Sequence, residues 1–345
     1  MTSAVRVGGE LTVASTFAGW AVARVASADQ FRRFDAPVAS LLSFTPQVAV
    51  GAWAGALLLR DRRARAITAV AAGAMTTVLA ARAVPRRQPA VSGPELRVLT
   101  ANLLFGRAAA APVVDLVRRT AADVFFVQEL TEAALTRLCA AGLDELLPYS
   151  VNDLGTAGSR GNGIYARYPL SGRTATASAF GAGPVVTLGL PAGPARLVCV
   201  HLRAPKRPWD RRRRPAGPGW RDELTALPGP ATSGDAPLII AGDFNSTLDH
   251  ALFRRLLGRG YADAASQSGI GLVPTWGPEP GGRRSLLTLD HVLADSRCAV
   301  TGASVYSLPG TDHRAVFAAL RLPAGDAGLR PAMRRCSGSR PGEIP

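Results

Sequence analysis

The chain has 345 residues, enough for one large domain with additions or for two of ordinary size, and too many for a miniprotein held by staples. Apolar residues make up 47% and charged ones 19%, with mean hydropathy +0.13, which excludes disorder, collagen and coiled coil as the overall class and leaves part of the chain suited to lipid. The net charge of +15 rests on 40 basic residues of which only Lys206 is lysine, an arginine skew in an alanine-rich background that reads as genomic base composition and not as evidence about partners.

The first stretch is the most hydrophobic. Ala36 to Leu59 runs 24 residues without a charge, against the roughly 20 needed to cross a bilayer. Leu11 to Ala28 is a weaker segment interrupted by Arg24, which costs about 2.5 to 3.5 kcal/mol at the bilayer centre unless it snorkels toward an end. Ala66 to Ala81 is uncharged but short, and it completes a crossing only with Ala83 to Pro85 and a snorkelling Arg82. Residues 1–85 are therefore expected to form a transmembrane region of two or three helices in the cell membrane. The alternatives are buried helices of a soluble domain or a cleaved signal peptide, although Arg6 alone makes a poor basic leader. Four arginines between Arg60 and Arg65 favour the cytoplasm for that link. Three spans then put the rest of the chain outside, a lean only, because Arg32, Arg33, Arg82, Arg86 and Arg87 nearly balance the count.

Residues 86–94, rich in proline and polar groups, read as a linker. From Leu96 the pattern changes to short β-rich runs, LRVLTANLL, DVFFVQEL, GIYAR, VVTLGL, ARLVCVHLR, LIIAGDFN, LDHVLA and AVFAALRL. Helical stretches are expected at Ala111 to Thr120, Arg221 to Leu227 and His250 to Leu257. Many strands with few long helices predict an α+β fold over residues 95–323, a four-layer sandwich of two packed mixed sheets flanked by helices. Residues 324–345 turn to glycine, proline, serine and arginine and are expected to fray. Cys139, Cys199, Cys298 and Cys336 form no CxxC pair, so neither zinc nor a disulfide framework is indicated.

Polar residues stand where the apolar runs finish: Asn102, Glu129, His201, Asp243 with Asn245, Asp290, and Asp312 with His313. Each alone is more often a turn, a cap or a satisfied histidine. Together, emerging from at least five β-runs, they are expected to converge on one sheet edge and line a cleft. Oxygen ligands without cysteine favour Mg²⁺ or Mn²⁺ over Zn²⁺, and such ions suit phosphate esters.

The order and flanks of these residues, in LTANL, VQEL with Gln128, GNGIYARYPL, VHLRAP, AGDFNST, LDHV and TDHRAV, resemble the endonuclease/exonuclease/phosphatase superfamily of DNase I-like, metal-dependent hydrolases, from about Leu96 to Leu322. The resemblance implies that Glu129 binds the metal, Asn102 helps set its water shell and Asp312 adds to it. It implies that Asp243 orients or deprotonates the attacking water, that Asn245 holds water and phosphate, and that His201 donates to a non-bridging oxygen. His313 acts at the scissile phosphate, oriented by Asp290. One position departs: some members carry an acid two residues beyond the first asparagine, where this chain has Leu104.

Loops set specificity in such a scaffold, so the motifs do not name the substrate. The arginine run containing Arg211 and Arg212 is either an exposed charged loop or an anion-catching one, and Thr275 and Trp276 either pack the rim or touch substrate. An expected membrane tether favours a lipid-linked phosphate, pyrophosphate or phosphodiester. The layout is similar to membrane-anchored actinobacterial members of the teicoplanin-resistance, VanJ-like type. A DNA or RNA nuclease is the alternative, and a non-catalytic membrane-binding protein a second one.

Overall fold

The computed structural model describes residues 3–31, 35–154, 161–174, 182–205, 219–232, 234–281 and 284–324. Its helices are α1 (Ser3–Val25), α2 (Asp35–Leu42), α3 (Thr45–Leu58), α4 (Arg62–Ala80), α5 (Ala110–Thr120), α6 (Glu132–Ala140), α7 (Leu143–Leu146), α8 (Trp220–Ala226), α9 (Ala251–Gly258) and α10 (Ala264–Gln267). The strands are β1 (Glu95–Asn102), β2 (Val124–Gln128), β3 (Tyr149–Asp153), β4 (Asn162–Ala166), β5 (Leu170–Thr174), β6 (Ala182–Leu190), β7 (Gly193–His201), β8 (Leu238–Asp243), β9 (Tyr261–Asp263), β10 (Asp290–Asp295), β11 (Ala299–Ser307) and β12 (Arg314–Arg321).

The strands pair into two sheets, ordered β11-β12-β1-β2-β4-β3 and β5-β6-β7-β8-β10-β9. Period-two alternation decides which residue faces which layer. In β1 Val98 points between the sheets and Leu99 points outward, in β2 Phe126 and Phe125 divide in the same way, and in β8 Ile239 and Ile240 do so. The outward set of the first sheet is covered by α5 and α6 through Val114, Val117 and Leu138. That of the second is covered by α8 and α9 through Trp220 and Phe253. Both faces of each sheet are thus sealed, and the expected four layers are present.

Pairing direction brings the strand ends to one edge. β1 and β2 run parallel, as do β7 and β8, so the ends carrying Asn102, Glu129, His201 and Asp243 share an edge of their respective sheets. β10 is antiparallel to β8 with Asp290 opposite Asp243, and β12 is antiparallel to β1, so the residues that begin those strands arrive at the same edge.

Gly242 makes the close β7–β8 approach there: its φ is +144°, and a Cβ would stand 2.0 Å from the Val200 carbonyl oxygen. Gly242→Ala is expected to push β8 off β7 and lower stability by about 3 kcal/mol, the top of the usual overpacking range. A melting curve indistinguishable from the wild type would refute this.

The N-terminal region departs from the sequence expectation. Among the described residues no helix is long and apolar enough to cross a membrane. The uncharged run from Ala36 to Leu59 is two helices, because Pro46 in the first turn of α3 lacks an N–H and its ring excludes continuous helix past the Leu42 carbonyl; Thr45 Oγ1 donates to that carbonyl at 2.6 Å instead. Arg24 and Arg82 do not snorkel. They are 5% and 6% exposed, and both clamp Asp249 of the catalytic half at 2.6 Å.

A second contact joins α2 to the same segment. His250 Nδ1 accepts from the Thr247 N–H at 3.2 Å, which fixes the proton on Nε2, where the Ala39 carbonyl accepts at 2.9 Å beside Ser43 Oγ. Burial, against the opposing pull of Asp249, pushes this imidazole down to about 4. The unfolded chain therefore takes up the proton first as pH falls. The contribution is complete above about 6.5 and is lost progressively toward pH 4, at most roughly 3 kcal/mol. Urea midpoints measured from pH 7 to 4 should fall less steeply for His250→Gln than for the wild type; parallel curves would contradict the assignment.

Candidate active site

The eight strand-end residues are built into a shared cluster. Asn102, fully buried, uses its amide Nδ2 to bridge two carboxylates, Glu129 Oε1 at 3.1 Å and Asp243 Oδ2 at 3.2 Å. Its own oxygen accepts from the Leu104 N–H at 3.0 Å, so Asn102 holds the acids together. The Leu104 backbone makes this turn.

His201 Nε2 lies 3.8 Å from Glu129 and 3.7 Å from Asp243. Asn245 caps Asp243 through its backbone N–H at 2.8 Å and ties Nδ2 to the Leu202 carbonyl at 2.8 Å, joining the β7 and β8 ends. His313 Nδ1 sits 2.9 Å from Asp290 Oδ2, while its Nε2 faces Asp243 Oδ2 at 3.8 Å and Asp312 Oδ1 at 4.0 Å.

Six described non-glycine residues have positive φ, and four of them, Leu104, Phe105, Glu129 and Asn245, belong to this cluster. Such backbone costs on the order of 1–3 kcal/mol per residue and persists only where its surroundings impose it. Glu129 is held by the Phe105 N–H on Oε2 at 2.7 Å, and Asn245 by Asp243. Strain concentrated at the polar edge marks it as the working part of the molecule.

Burial pushes the Asp243 carboxyl above the usual carboxylate range, against the opposing pull of His313. Burial lowers the His313 pKa, but the Asp290 and Asp243 carboxylates outweigh it and hold the imidazole protonated, up to about 10. The pair is thus an acid poised to give a proton beside a carboxylate poised to take one.

Two supporting residues left unassigned by the sequence are resolved in position. Thr275 Oγ1 donates to Asp290 Oδ2 at 2.7 Å and accepts from the Leu289 and Asp290 N–H groups at 2.9 and 3.0 Å, so it fixes the carboxylate that orients His313. The Trp276 indole N–H donates to Asp312 Oδ2 at 3.0 Å. Thr311, unremarked in the sequence, ties the β12 entry to the β1 end through the Asn102 carbonyl at 2.8 Å. Its only sequence signal is adjacency to Asp312 and His313. Arg211 and Arg212 lie outside the described residues.

Asp243, Asp290 and His313 offer ligand atoms within 4.8 Å of one another. However, Asp290 is engaged by Thr275 and by His313 Nδ1, which makes this trio a proton-holding chain. The acids expected from the sequence to hold a hard cation are instead Glu129 and Asp312. The Asp312 Oδ1 atom is buried with no hydrogen-bond partner, 4.0 Å from His313 Nε2.

Two mixed sheets face to face, flanked by helices and carrying this polar set at one shared edge, define the class as a four-layer sandwich of the DNase I-like kind. Residues 99–313 match the Endonuclease/Exonuclease/phosphatase family, and the chain belongs to that family of phosphoester hydrolases. The chain is similar to a solved endonuclease/exonuclease/phosphatase of Beutenbergia cavernae, at 18% identity and TM-score 0.47 over 66% of this chain and 72% of that one. It is similar to sphingomyelinase C of Streptomyces griseocarneus, at 18% identity and TM-score 0.45 over 66% and 99% of the two chains. A variant of the Staphylococcus aureus beta toxin with bound magnesium ions matches at 14% identity and TM-score 0.44 over 65% and 99%. The sequence matches no curated protein.

Proposed function

We propose that this protein is a divalent-metal-dependent phosphoesterase working at the cell membrane on a lipid-linked phosphate, pyrophosphate or phosphodiester, with its catalytic domain outside the cell. The observation that carries the chemistry is the pairing of protonated His313 with Asp243 beside the unpartnered Asp312 oxygen. Glu129 and Asp312 would hold Mg²⁺ or Mn²⁺, which supplies Lewis-acid polarisation of the phosphoryl oxygens. Asp243 takes the proton of the attacking water, positioned by Asn245. His201 donates to a non-bridging oxygen, and His313, aligned by Asp290 and Thr275, donates where negative charge grows.

The lipid preference rests on the N-terminal helices. Leu57, Leu58, Val70 and Val50 are each more than 70% exposed. Thr12, Thr16, Thr76 and Thr77 donate to carbonyls one turn back in their own helices, and the Trp53 indole N–H is bonded to Thr76 Oγ1. A surface of large apolar groups whose neighbouring polar groups are internally satisfied suits lipid better than water.

The test is a panel of isoprenyl pyrophosphates, phospholipids and plasmid DNA with Mg²⁺, using Asp243→Ala and Glu129→Ala as blanks. Release of phosphate or headgroup from a lipid, absent in both blanks, is the expected result. Efficient nicking of DNA with every lipid intact would replace this reading with a nuclease, and retention of biological effect by Asp243→Ala would replace it with a binding role.

A further inference from the structure

Glu10 of α1 accepts from the Arg60 and Asp61 N–H groups that precede α4, while Arg24 and Arg82 at the other ends of these helices meet on Asp249. The two helices therefore run side by side in the same direction. Their outer faces leave a groove of about 600 Å³, lined entirely by alanine, valine and isoleucine, among them Val22, Val25, Ile67, Val70 and Ala74.

At the catalytic-domain end stands a second cavity of about 370 Å³ whose lining includes Arg24, Arg82, Arg86 and Arg254. One face of α4 lines both. Ile67, Val70 and Ala74 bound the groove, and Val78, Ala81 and Arg82 continue in steps of three, four or one residues into the cavity. The apolar slot thus leads into a cationic chamber.

The chamber carries excess positive charge. Asp249 is shared by Arg24 and Arg82, Asp29 sits nearby, and the lining carboxylate Asp263 is taken by His291 Nδ1 at 2.9 Å. Four guanidiniums therefore face two carboxylates, one of them already shared by Arg24 and Arg82. Burial, reinforced by Arg24, pushes the Arg254 guanidinium down to about 10, as expected where like charges crowd. The Arg86 side chain forms no hydrogen bond or ion pair among the described residues, leaving a planar fork of donors suited to phosphate. At ~30 Å³ per water the chamber holds roughly a dozen waters, room enough for a phosphate headgroup.

We infer that groove and chamber together bind one anionic phospholipid, its phosphate among Arg24, Arg82, Arg86 and Arg254 and one acyl chain between α1 and α4, at a site that shares no residue with the catalytic edge. The inference rests on the membrane reading above. The phosphate neutralises the surplus arginines, and the chain covers the groove, so the lipid completes the joint between the N-terminal helices and the sandwich.

The full chain, purified in detergent, is mixed with vesicles of phosphatidylcholine alone or with phosphatidylglycerol added. Flotation reports membrane association, and mass spectrometry of the re-extracted protein counts retained lipid. One phosphatidylglycerol per chain, in preference to phosphatidylcholine, is expected. Arg86→Gln should weaken retention roughly fivefold, the worth of one arginine at an anionic surface. Ala74→Phe, which fills the groove, should weaken it without touching the arginines. Both should hydrolyse a water-soluble phosphodiester at the wild-type rate, because neither residue is near the catalytic edge.

Equal retention of the two lipids by floating protein, or phosphatidylglycerol retained undiminished in both variants, overturns the site while leaving the membrane reading intact. Displacement of the lipid by inorganic phosphate alone means an anion site with no use for the groove, which also overturns it. Failure to float on either vesicle removes both readings.

Discussion

Asp243→Asn is expected to lower kcat on a phosphoester substrate by roughly 10²–10⁴-fold, the range for loss of a positioned proton acceptor, with KM little changed. The substitution preserves shape, and one side-chain oxygen can still accept the Asn245 N–H now at 2.8 Å. What it removes is the charge that sits 3.7 Å from His201 and 3.8 Å from His313. His313 then keeps Asp290 but loses the second carboxylate that raises its pKa, so residual activity should lose its alkaline limb at lower pH than in the wild type. The new amide also points a donor toward the Nδ2 groups of Asn102 and Asn245, now 3.2 and 3.3 Å from the carboxylate oxygen, at a local cost of about 1–3 kcal/mol. Steady-state rates across pH, with a melting curve to show that the fold survives, make the check. Activity within tenfold of the wild type would move the base elsewhere and sink the assigned chemistry.

The sandwich was legible because its strands are buried on both faces and end abruptly in polar residues. LIIAGDFN and DVFFVQEL have no apolar reason to stop where they do, and the polar residues at or just past their ends, Asp243 and Glu129, are those that meet at the shared edge. Strands without that contrast were missed. β11, with the sequence AVTGASVYS, is half-exposed along most of its length, and β3 carries Ser150, Asn152 and Asp153 in only five residues. Thr275 was visible but could not be assigned, because its role depends on Asp290 fifteen positions later in the chain. The departure of the N-terminal helices from the expected spans has a similar origin. A hydropathy window weighs Arg24 and Arg82 against lipid, since lipid and water are the only surroundings it knows. Their partner Asp249 lies 225 and 167 residues away, and no local pattern reveals it.

That partner makes the second large effect predictable: Asp249→Asn is expected to destabilise the protein by about 3–5 kcal/mol, the usual result of removing one member of a buried ion cluster. Asp249 is 1% exposed and takes Arg24 Nε at 2.6 Å and both Arg82 Nη atoms at 2.8 and 2.6 Å. Burial alone would raise its pKa, yet Arg82 and Arg24 together hold it below the ordinary value, the sign of a carboxylate kept charged by its partners. Asparagine leaves two guanidiniums buried around one neutral acceptor. Arg254, which donates to the Leu248 and Asp249 carbonyls, cannot move away to dilute the charge. The loss should appear as a lower urea midpoint at unchanged slope. If the N-terminal helices instead release first, it should appear as a new low-denaturant step accompanied by proteolysis before residue 95. Replacing all three members together, with Asp249→Leu, Arg24→Met and Arg82→Met, should recover most of the loss, because an apolar trio of similar volume carries no desolvation penalty. A shift below about 1 kcal/mol for Asp249→Asn alone would mean that the arginines reach solvent or lipid, as the hydropathy pattern suggested, and that the contact joining the two halves is weak.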